Sequence, residues 1–360
     1  MAGISVAING LNTPLGRQLL RVLCAQKADN GVDDRFSIKL VNDTATPENM
    51  EYLLEHDTVY GPWDNVSIGS DGNGHTELWI GNQSIRYTQS ITASTLPLGE
   101  LSVDIVFECS GFYSTKTKAQ DFITAGAKKV VIMPAASAGN DLPTVVYDIN
   151  HKTVSSSDEV ICIPGGKNIA DAVIGYAIND IAGYSVSLAN FLEVGSNTSA
   201  NCLHDSTVSS TSATDYQIYR SGAWNLIRST SGAAKAIGLV IPELNGKCIS
   251  IEARTATIQG TMSIGVCLVS KFDLVTFNAA FKGMTNKEGT IIYREMGDAI
   301  VSSDVVGSSG VWYCNNATYQ QLPNDGGYLV TIPVVYDPTM IQISNAVASV
   351  VSFVENGAWK

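Results

Sequence analysis

Short apolar runs open the chain. Ile4–Asn9, Arg35–Val41, Asp104–Glu108 and Lys129–Met133 each read as buried strands, and a further strand spans Glu159–Ile163. Between them the spacing turns helical: about Leu15 to Gln26, a helix beginning at Met50–Glu55, and Thr115–Thr124. Glu77–Tyr87, rich in β-formers around Gly81-Asn82, reads as a hairpin. Strands alternating with helices predict a parallel sheet with right-handed crossovers. Beyond an apolar helix, Ile169–Ile181, the strands lengthen: Ser185–Gly195, Lys247–Ile258, Met262–Leu268 and Tyr328–Tyr336. A last helix, Thr339–Glu355, carries apolar residues at 340, 343, 347, 350, 351 and 354, a helical spacing. Ser206–Ser212, rich in Ser and Thr, reads as a surface excursion within a long loop.

Composition narrows this picture. A chain of 360 residues predicts roughly two domains, and 45% hydrophobic against 16% charged residues predicts a well-buried globular protein. A net charge of −12 argues against nucleic acid and anionic membrane surfaces as partners. Seven cysteines, at 24, 109, 162, 202, 248, 267 and 314, are scattered without CxxC spacing, which suits a reducing compartment better than disulfides or a zinc site. The four histidines, at 56, 75, 151 and 204, show no ligand spacing. The amino terminus lacks a charged-then-apolar signal pattern and no apolar run reaches about 18 residues, so the expectation is a soluble intracellular protein.

Several motifs are more specific. They include Ala7-Ile8-Asn9-Gly10 with Gly16-Arg17, Val41-Asn42-Asp43, Glu55-His56-Asp57-Thr58 with Gly61, and Glu108-Cys109-Ser110-Gly111-Phe112. Ala125 to Val130, the long segment Ser231–Lys247, and Val301-Ser302-Ser303-Asp304 complete the set. On these motifs the chain resembles glyceraldehyde-3-phosphate dehydrogenase over nearly its whole length. The resemblance implies an α/β protein with a Rossmann-like dinucleotide-binding domain, residues 1–163, and an α+β mixed-sheet catalytic-type domain, residues 164–337. Residues 338–360 would form a carboxy-terminal helix packing back on the first domain.

The same resemblance exposes losses. The family's Asn-Gly-Phe-Gly-Arg-Ile-Gly-Arg turn becomes Asn9-Gly10-Leu11-Asn12-Thr13-Pro14-Leu15-Gly16-Arg17, one residue longer and without the middle glycine that lets backbone approach pyrophosphate. Pro14 suits a helix start but removes an N–H that would face an anion. Asp43 stands where the family binds the adenosine ribose, and Ser110-Gly111 match its Thr-Gly at the adenine side. The residual cofactor set is therefore Asn9, Gly10, Gly16, Asp43, Ser110 and Gly111, with Asp43 and Gly10 read first as capping or turn residues kept by the fold and retained dinucleotide binding as the alternative. At the nicotinamide side, the family's Ser-Ala-Pro-Ser becomes Met133-Pro134-Ala135-Ala136, and its Trp-Tyr-Asp-Asn-Glu becomes Val335-Tyr336-Asp337-Pro338-Thr339.

In this family a cysteine thiolate at a helix start attacks the aldehyde, activated by helix dipole and histidine. Counting without a gap from Asn150-His151, the nucleophile position falls on Gly166, the histidine on Glu193 and the phosphate-gripping arginine on Ser221. Cys162, four residues upstream in a strand, would lie more than about 10 Å from the helix start. Cys202 with His204 forms a nucleophile–base pair on paper only, lacking an orienting third group. Glu193 reads as a solvated or hydrogen-bonded carboxylate in a vacated cleft, with a general base as the alternative. Lys167 reads as a surface or cleft lysine, since Gly165-Gly166-Lys167 lacks the upstream glycine of a phosphate loop. Arg254, Thr257, Tyr336, Asp337, Ser344 and Asn345 match the family and belong to scaffold or subunit contacts. The loop from Gly195 to Ser221 is about seven residues longer than the family's, by that same comparison, and offers a new contact surface.

The expectation is thus an inactive family member serving as a structural or interaction subunit of a larger assembly, cytoplasmic, with the cytoskeleton as one setting. A nucleotide-binding regulator and an oxidoreductase of altered chemistry are the alternatives. No bound cofactor is expected, with NAD as the one the fold admits. Partners would be other proteins of an assembly or further copies of the chain, with no nucleic acid and no membrane. Trp63, Trp312, Tyr313 and Trp359 are candidate exposed anchors, each read first as a core or ordinary surface residue.

Overall fold

Buried apolar runs need neighbours on both faces, and the first part of the chain supplies them by alternating strand and helix. The structure is a computed structural model describing residues 3–25, 35–133, 142–198, 201–207, 213–230, 232–285, 290–294 and 299–359. Pro134, Ala135, Ala136, Ser231, Gln26 and residues 208–212 lie outside these.

In chain order the first elements are β1 (Ile4–Asn9), α1 (Pro14–Ala25), β2 (Phe36–Asn42), α2 (Pro47–Glu55), β3 (Val66–Ser70), β4 (Thr76–Ile80) and β5 (Gln83–Thr88). Next come β6 (Ile105–Glu108), α3 (Lys116–Thr124), β7 (Lys129–Ile132) and β8 (Val160–Cys162). Among the described residues they make an eight-stranded sheet in the order β3-β4-β5-β2-β1-β6-β7-β8, parallel from β5 to β8. Strands β6, β7 and β8 are buried at every residue, as strands of a parallel sheet covered on both faces are. The expected hairpin is β4–β5, antiparallel, with β3 added outside it. Polar caps set the helix starts. Thr46 Oγ1 accepts from Asn49 N ahead of Pro47, and Thr115 Oγ1 accepts from Lys118 N.

The second set is α4 (Gly166–Tyr176), β9 (Val186–Ser196), α5 (Ala213–Ile218), β10 (Ile227–Thr230), α6 (Ala233–Val240), β11 (Cys248–Thr255) and β12 (Thr261–Val269). It continues with α7 (Leu274–Gly283), β13 (Ile291–Tyr293), β14 (Val311–Tyr313), β15 (Thr318–Gln321), β16 (Tyr328–Tyr336) and α8 (Pro338–Glu355). Its sheet runs β10-β11-β9-β12-β16-β14-β13, with β15 paired to β16, and mixes parallel and antiparallel neighbours. The helix expected over Ile169–Ile181 begins earlier, at Gly166, and its last turn, Ala177–Ile181, widens to a π-helical one.

By contact the chain forms two compact units: residues 1–147, 151–165 and 345–360, and residues 148–150 and 166–344. Helix α8 thus starts in the second unit and continues in the first.

One strand departs from ordinary patterning. On β11, Glu252 is buried, whereas Ile249 is 64% and Ile251 47% exposed. The polar side of that strand faces inward and the apolar side outward.

Two of the four aromatic candidates are core residues, which excludes them as exposed anchors. Tyr313 is fully buried, its hydroxyl donating to Asn278 Oδ1 at 2.6 Å. Trp359 is buried too, against Phe353 and under the Lys129 ammonium. Trp63 and Trp312 are half-buried beneath the guanidinium groups of Arg21 and Arg294. Among the exposed aromatics that spacing did not single out is Trp224, 90% accessible just before β10.

Candidate functional site

In the first unit the strand ends of β1, β2 and β6 surround a cavity of about 480 Å³. Asn9, Gly10, Asp43 and Ser110 line it, together with Asn12, Thr13, Asn42, Thr44, Ser90, Ile91, Phe112 and Tyr113. Gly16 and Gly111 do not line it; they shape its walls. Gly10 has φ +88°, and a Cβ there would fall 2.4 Å from Ser110 N. A Cβ at Gly16 would fall 2.3 Å from Gly10 O, so this glycine lets helix α1 press on the turn. Ser110-Gly111 wrap the buried Glu108 carboxylate, which accepts from Ser110 Oγ, Gly111 N and Asn9 Nδ2. Burial pushes Glu108 above its ordinary value, with the bonds from Ser110 and Asn9 pulling the other way.

Whether this turn suits a dinucleotide depends on its free donors. Asn12 N already donates to Asp43 Oδ2 at 2.8 Å, Gly16 N donates to Thr13 Oγ1 at 2.9 Å, and Pro14 has no N–H. Arg17 turns back onto Asn12 O and Asp57 rather than outward. Asp43 Oδ1 also accepts from Ala45 N at 2.9 Å, each carboxylate oxygen keeping a lone pair for a ribose hydroxyl. The adenosine end therefore fits the residues present, and the pyrophosphate end is poor in donors.

In the second unit, Gly166 is the first residue of α4, as a thiolate position at a helix start requires. A Cβ at Gly166 would lie 2.1 Å from Pro338 O and 2.6 Å from Pro338 Cα. Backbone fills the space a side chain would need, and that backbone belongs to the proline at the expected carboxamide-binding position. Pro338 is held firmly. Asp337 Oδ1 caps α8 through Thr339 N at 2.9 Å and Met340 N at 3.0 Å, and accepts from Gln259 Nε2 at 2.7 Å.

Glu193 is fully buried, so of its two expected readings, solvated or hydrogen-bonded, the solvated one is excluded. Strand register explains its surroundings: Glu193 on β9 stands beside Glu252 on β11 and Ser263 on β12. Lys167 and Asp171, four apart on α4, lie over this row. The Lys167 ammonium pairs with Glu252 Oε1 and lies 3.7 Å from Glu193 Oε2. Arg254 Nε donates to the same Glu252 oxygen at 3.1 Å, and its other arm reaches Thr198 and Asn201. Ser263 Oγ donates to Asp171 Oδ1. Burial raises Asp171 well above the carboxylate range, and the neighbouring Glu193 adds to the shift. Tyr336 is buried above the same row. Sequence reasoning named Lys167, Glu193, Arg254 and Tyr336; it missed Asp171, Glu252 and Ser263, for which the i, i+4 spacing of Lys167 and Asp171 was the available signal.

Ser221 is engaged by its own loop. Its hydroxyl donates to Leu203 O at 2.7 Å, and its N–H to Asp205 Oδ1 at 2.8 Å. Cys202 is half-buried and His204 exposed in the same turn, while Cys162 is buried in β8. No group of three or more His, Cys, Asp or Glu suited to a metal ion occurs among the described residues, and none of their helices is long and apolar enough to cross a membrane.

Comparison with known proteins agrees with this architecture. Residues 4–116 match the family model for the NAD binding domain of glyceraldehyde 3-phosphate dehydrogenase, and residues 193–337 match that for its C-terminal domain. Glyceraldehyde-3-phosphate dehydrogenase of Phytophthora infestans is 31% identical over 310 residues, 85% of this chain and 86% of that one. The enzyme of the same name from Lactobacillus delbrueckii subsp. bulgaricus is 29% identical over 347 residues, 95% and 90% of the two chains. That of Clostridium pasteurianum is 29% identical over 349 residues, 97% and 98%. With both domains matched and nearly the full length aligned, the chain belongs to the glyceraldehyde-3-phosphate dehydrogenase family.

Proposed function

We propose that this family member is catalytically inactive and that its fold serves as a structural or interaction subunit of a larger cytoplasmic assembly, a cytoskeletal one being included. The observation that carries the reading is Gly166. Its helix start faces the Pro338 backbone at a distance no side chain tolerates, so the position that should hold the nucleophile can hold none. Glu193 cannot substitute as a base, being buried and engaged by the Lys167 ion pair. The interaction role draws support from the outward face of the second sheet, where Leu188, Ile249, Ile251 and Met262 are exposed on adjoining strands. Such a face suits a protein partner, a second copy of the chain being the first candidate. An assay with glyceraldehyde 3-phosphate, phosphate and NAD at high protein concentration tests the reading. No NADH should form, and any turnover above blank would overturn it.

The cavity at Asp43 favours one second reading: the chain binds an adenine nucleotide, NAD included, through the adenosine end alone. Mass spectrometry of small molecules released by gentle denaturation, with titration of adenosine against NAD, distinguishes the two. Equal affinity for both would support binding through adenosine only, since the donor-poor turn adds nothing for the rest of NAD.

A further inference from the structure

The turn between β1 and α1 keeps its polar groups to itself. Gly10 N and Leu11 N both donate to Asn42 O, at 2.9 and 3.4 Å, Thr13 N donates to Gly10 O at 3.4 Å, and Asp43 holds Asn12 N. Helix α1 then opens on Pro14, which has no N–H, and Arg17 N closes the first helical bond onto Thr13 O at 3.0 Å. The start of a helix of 12 residues would turn its remaining donors toward an anion, and here Thr13 intercepts that of Gly16. Among the described residues Leu15 N alone is left, and one donor beside the Asp43 carboxylate does not hold a pyrophosphate.

Thr13 is placed for that interception. It lines the cavity beside Asp43, whereas Gly16 does not reach the cavity surface. Its hydroxyl is spent in both directions: the hydrogen goes to Gly10 O at 2.9 Å, and the oxygen accepts from Gly16 N at 2.9 Å. What that oxygen still presents is a lone pair, which a phosphate oxygen meets with repulsion.

We propose that the Thr13 hydroxyl is a built-in plug of the phosphate position. It takes the helix-start N–H that would otherwise grip an anion, and so leaves the cavity blind to whatever an adenosine carries beyond its ribose. The inference rests on the adenosine-end reading given above and adds the residue that sets the selectivity. The same bond caps α1, so cap and plug are told apart by how an anion responds once the hydroxyl is gone. Asp43 keeps Asn12 N out of reach throughout, so removing the plug restores one donor rather than the whole cradle.

Calorimetric titration of adenosine and of NAD into wild type, Thr13→Ser and Thr13→Gly tests the plug. Wild type and Thr13→Ser should bind the two ligands alike. Thr13→Gly should hold adenosine as before and NAD about tenfold more tightly, the return of one hydrogen bond to a charged oxygen. A Thr13→Gly preference within about twofold of wild type's overturns the plug, as does a wild type that already favours NAD by about tenfold. Failure of wild type to bind adenosine at all removes the adenosine reading instead, and inorganic pyrophosphate then decides for the plug. With isotope-labelled protein, the Gly16 amide resonance should shift saturably with pyrophosphate in Thr13→Gly and stay still in wild type and Thr13→Ser. An equal response in all three, or none in Thr13→Gly, overturns the proposal. Should Thr13→Gly not fold, Thr13→Ala removes the same hydroxyl and takes its place in both experiments.

Discussion

Replacing Gly166 by alanine probes the closure of the nucleophile position directly. The added methyl would sit 2.1 Å from Pro338 O, whereas ordinary contact begins near 3.4 Å, so backbone must move by more than 1 Å. On one side lies the end of β16 and the capped start of α8; on the other lies the buried first turn of α4. Neither is the far end of a flexible side chain. Forced overpacking costs roughly 2–4 kcal/mol at such a site, and better helix propensity returns at most about 1 kcal/mol. A net loss of about 1–3 kcal/mol is expected, equivalent to a drop of roughly 0.3–1 M in urea midpoint for an m-value near 3 kcal/mol/M. Gly283→Ala, at the end of α7 with nothing within 4 Å of its Cβ, is the matched control and should be neutral or slightly stabilising. Urea titration followed by far-ultraviolet circular dichroism reads both. A Gly166→Ala protein as stable as wild type would refute the closure, and so would a Gly166→Cys protein that forms a thioester with glyceraldehyde 3-phosphate and NAD.

Lys167→Ala should destabilise by about 3 kcal/mol, because it leaves Glu252 and Glu193 side by side in the core; adding Glu193→Gln should recover part of the loss, and denaturant melts of the single and double variants show whether it does. Gly10→Ala should cost more than about 2 kcal/mol whether or not NAD is present, since both its positive φ and Ser110 forbid the methyl; a stabilised variant would discredit the geometry of that turn. Glu108 is raised by burial, so the stability it brings is present below the ordinary carboxylate value and lost as pH rises through the raised one; Glu108→Gln should remove that part of the slope in thermal melts taken across pH. Ile251→Glu should leave folding within about 0.5 kcal/mol and abolish any self-association seen by sedimentation velocity, because its side chain is half in water already.

Much of the fold could be read from period alone. Strands β6 and β7, buried at every residue, and β1, buried from Val6 onward, announce themselves as short apolar runs, and β16 and α8 have bounds close to those read from the sequence pattern. The candidate site was legible only where a single position mattered, at Gly166 and in the turn through Pro14. What stayed hidden was built by pairing. Glu252 looks ordinary in sequence and acquires its role only when β11 aligns beside β9, putting it next to Glu193 from 59 positions away. Sequence left Tyr313 and Trp359 open between core and anchor for the same reason, since an aromatic side chain is buried or exposed by its neighbours rather than by its own letter. Trp224 sits in a polar stretch that gave no apolar run to attract notice.

Strand β11 has a further consequence for how the molecule assembles itself. Sliding it by one residue against β9 would turn Ile249 and Ile251 inward and expel Glu252 and Arg254 into water, an arrangement that hydrophobicity alone favours. The native alignment therefore depends on charge: Lys167 must find Glu252, and Arg254 must join them, before the strand settles. Refolding in concentrated salt, which weakens those attractions while strengthening apolar burial, should send a larger share of molecules into the slipped form, leaving a trap that dilution alone is slow to release.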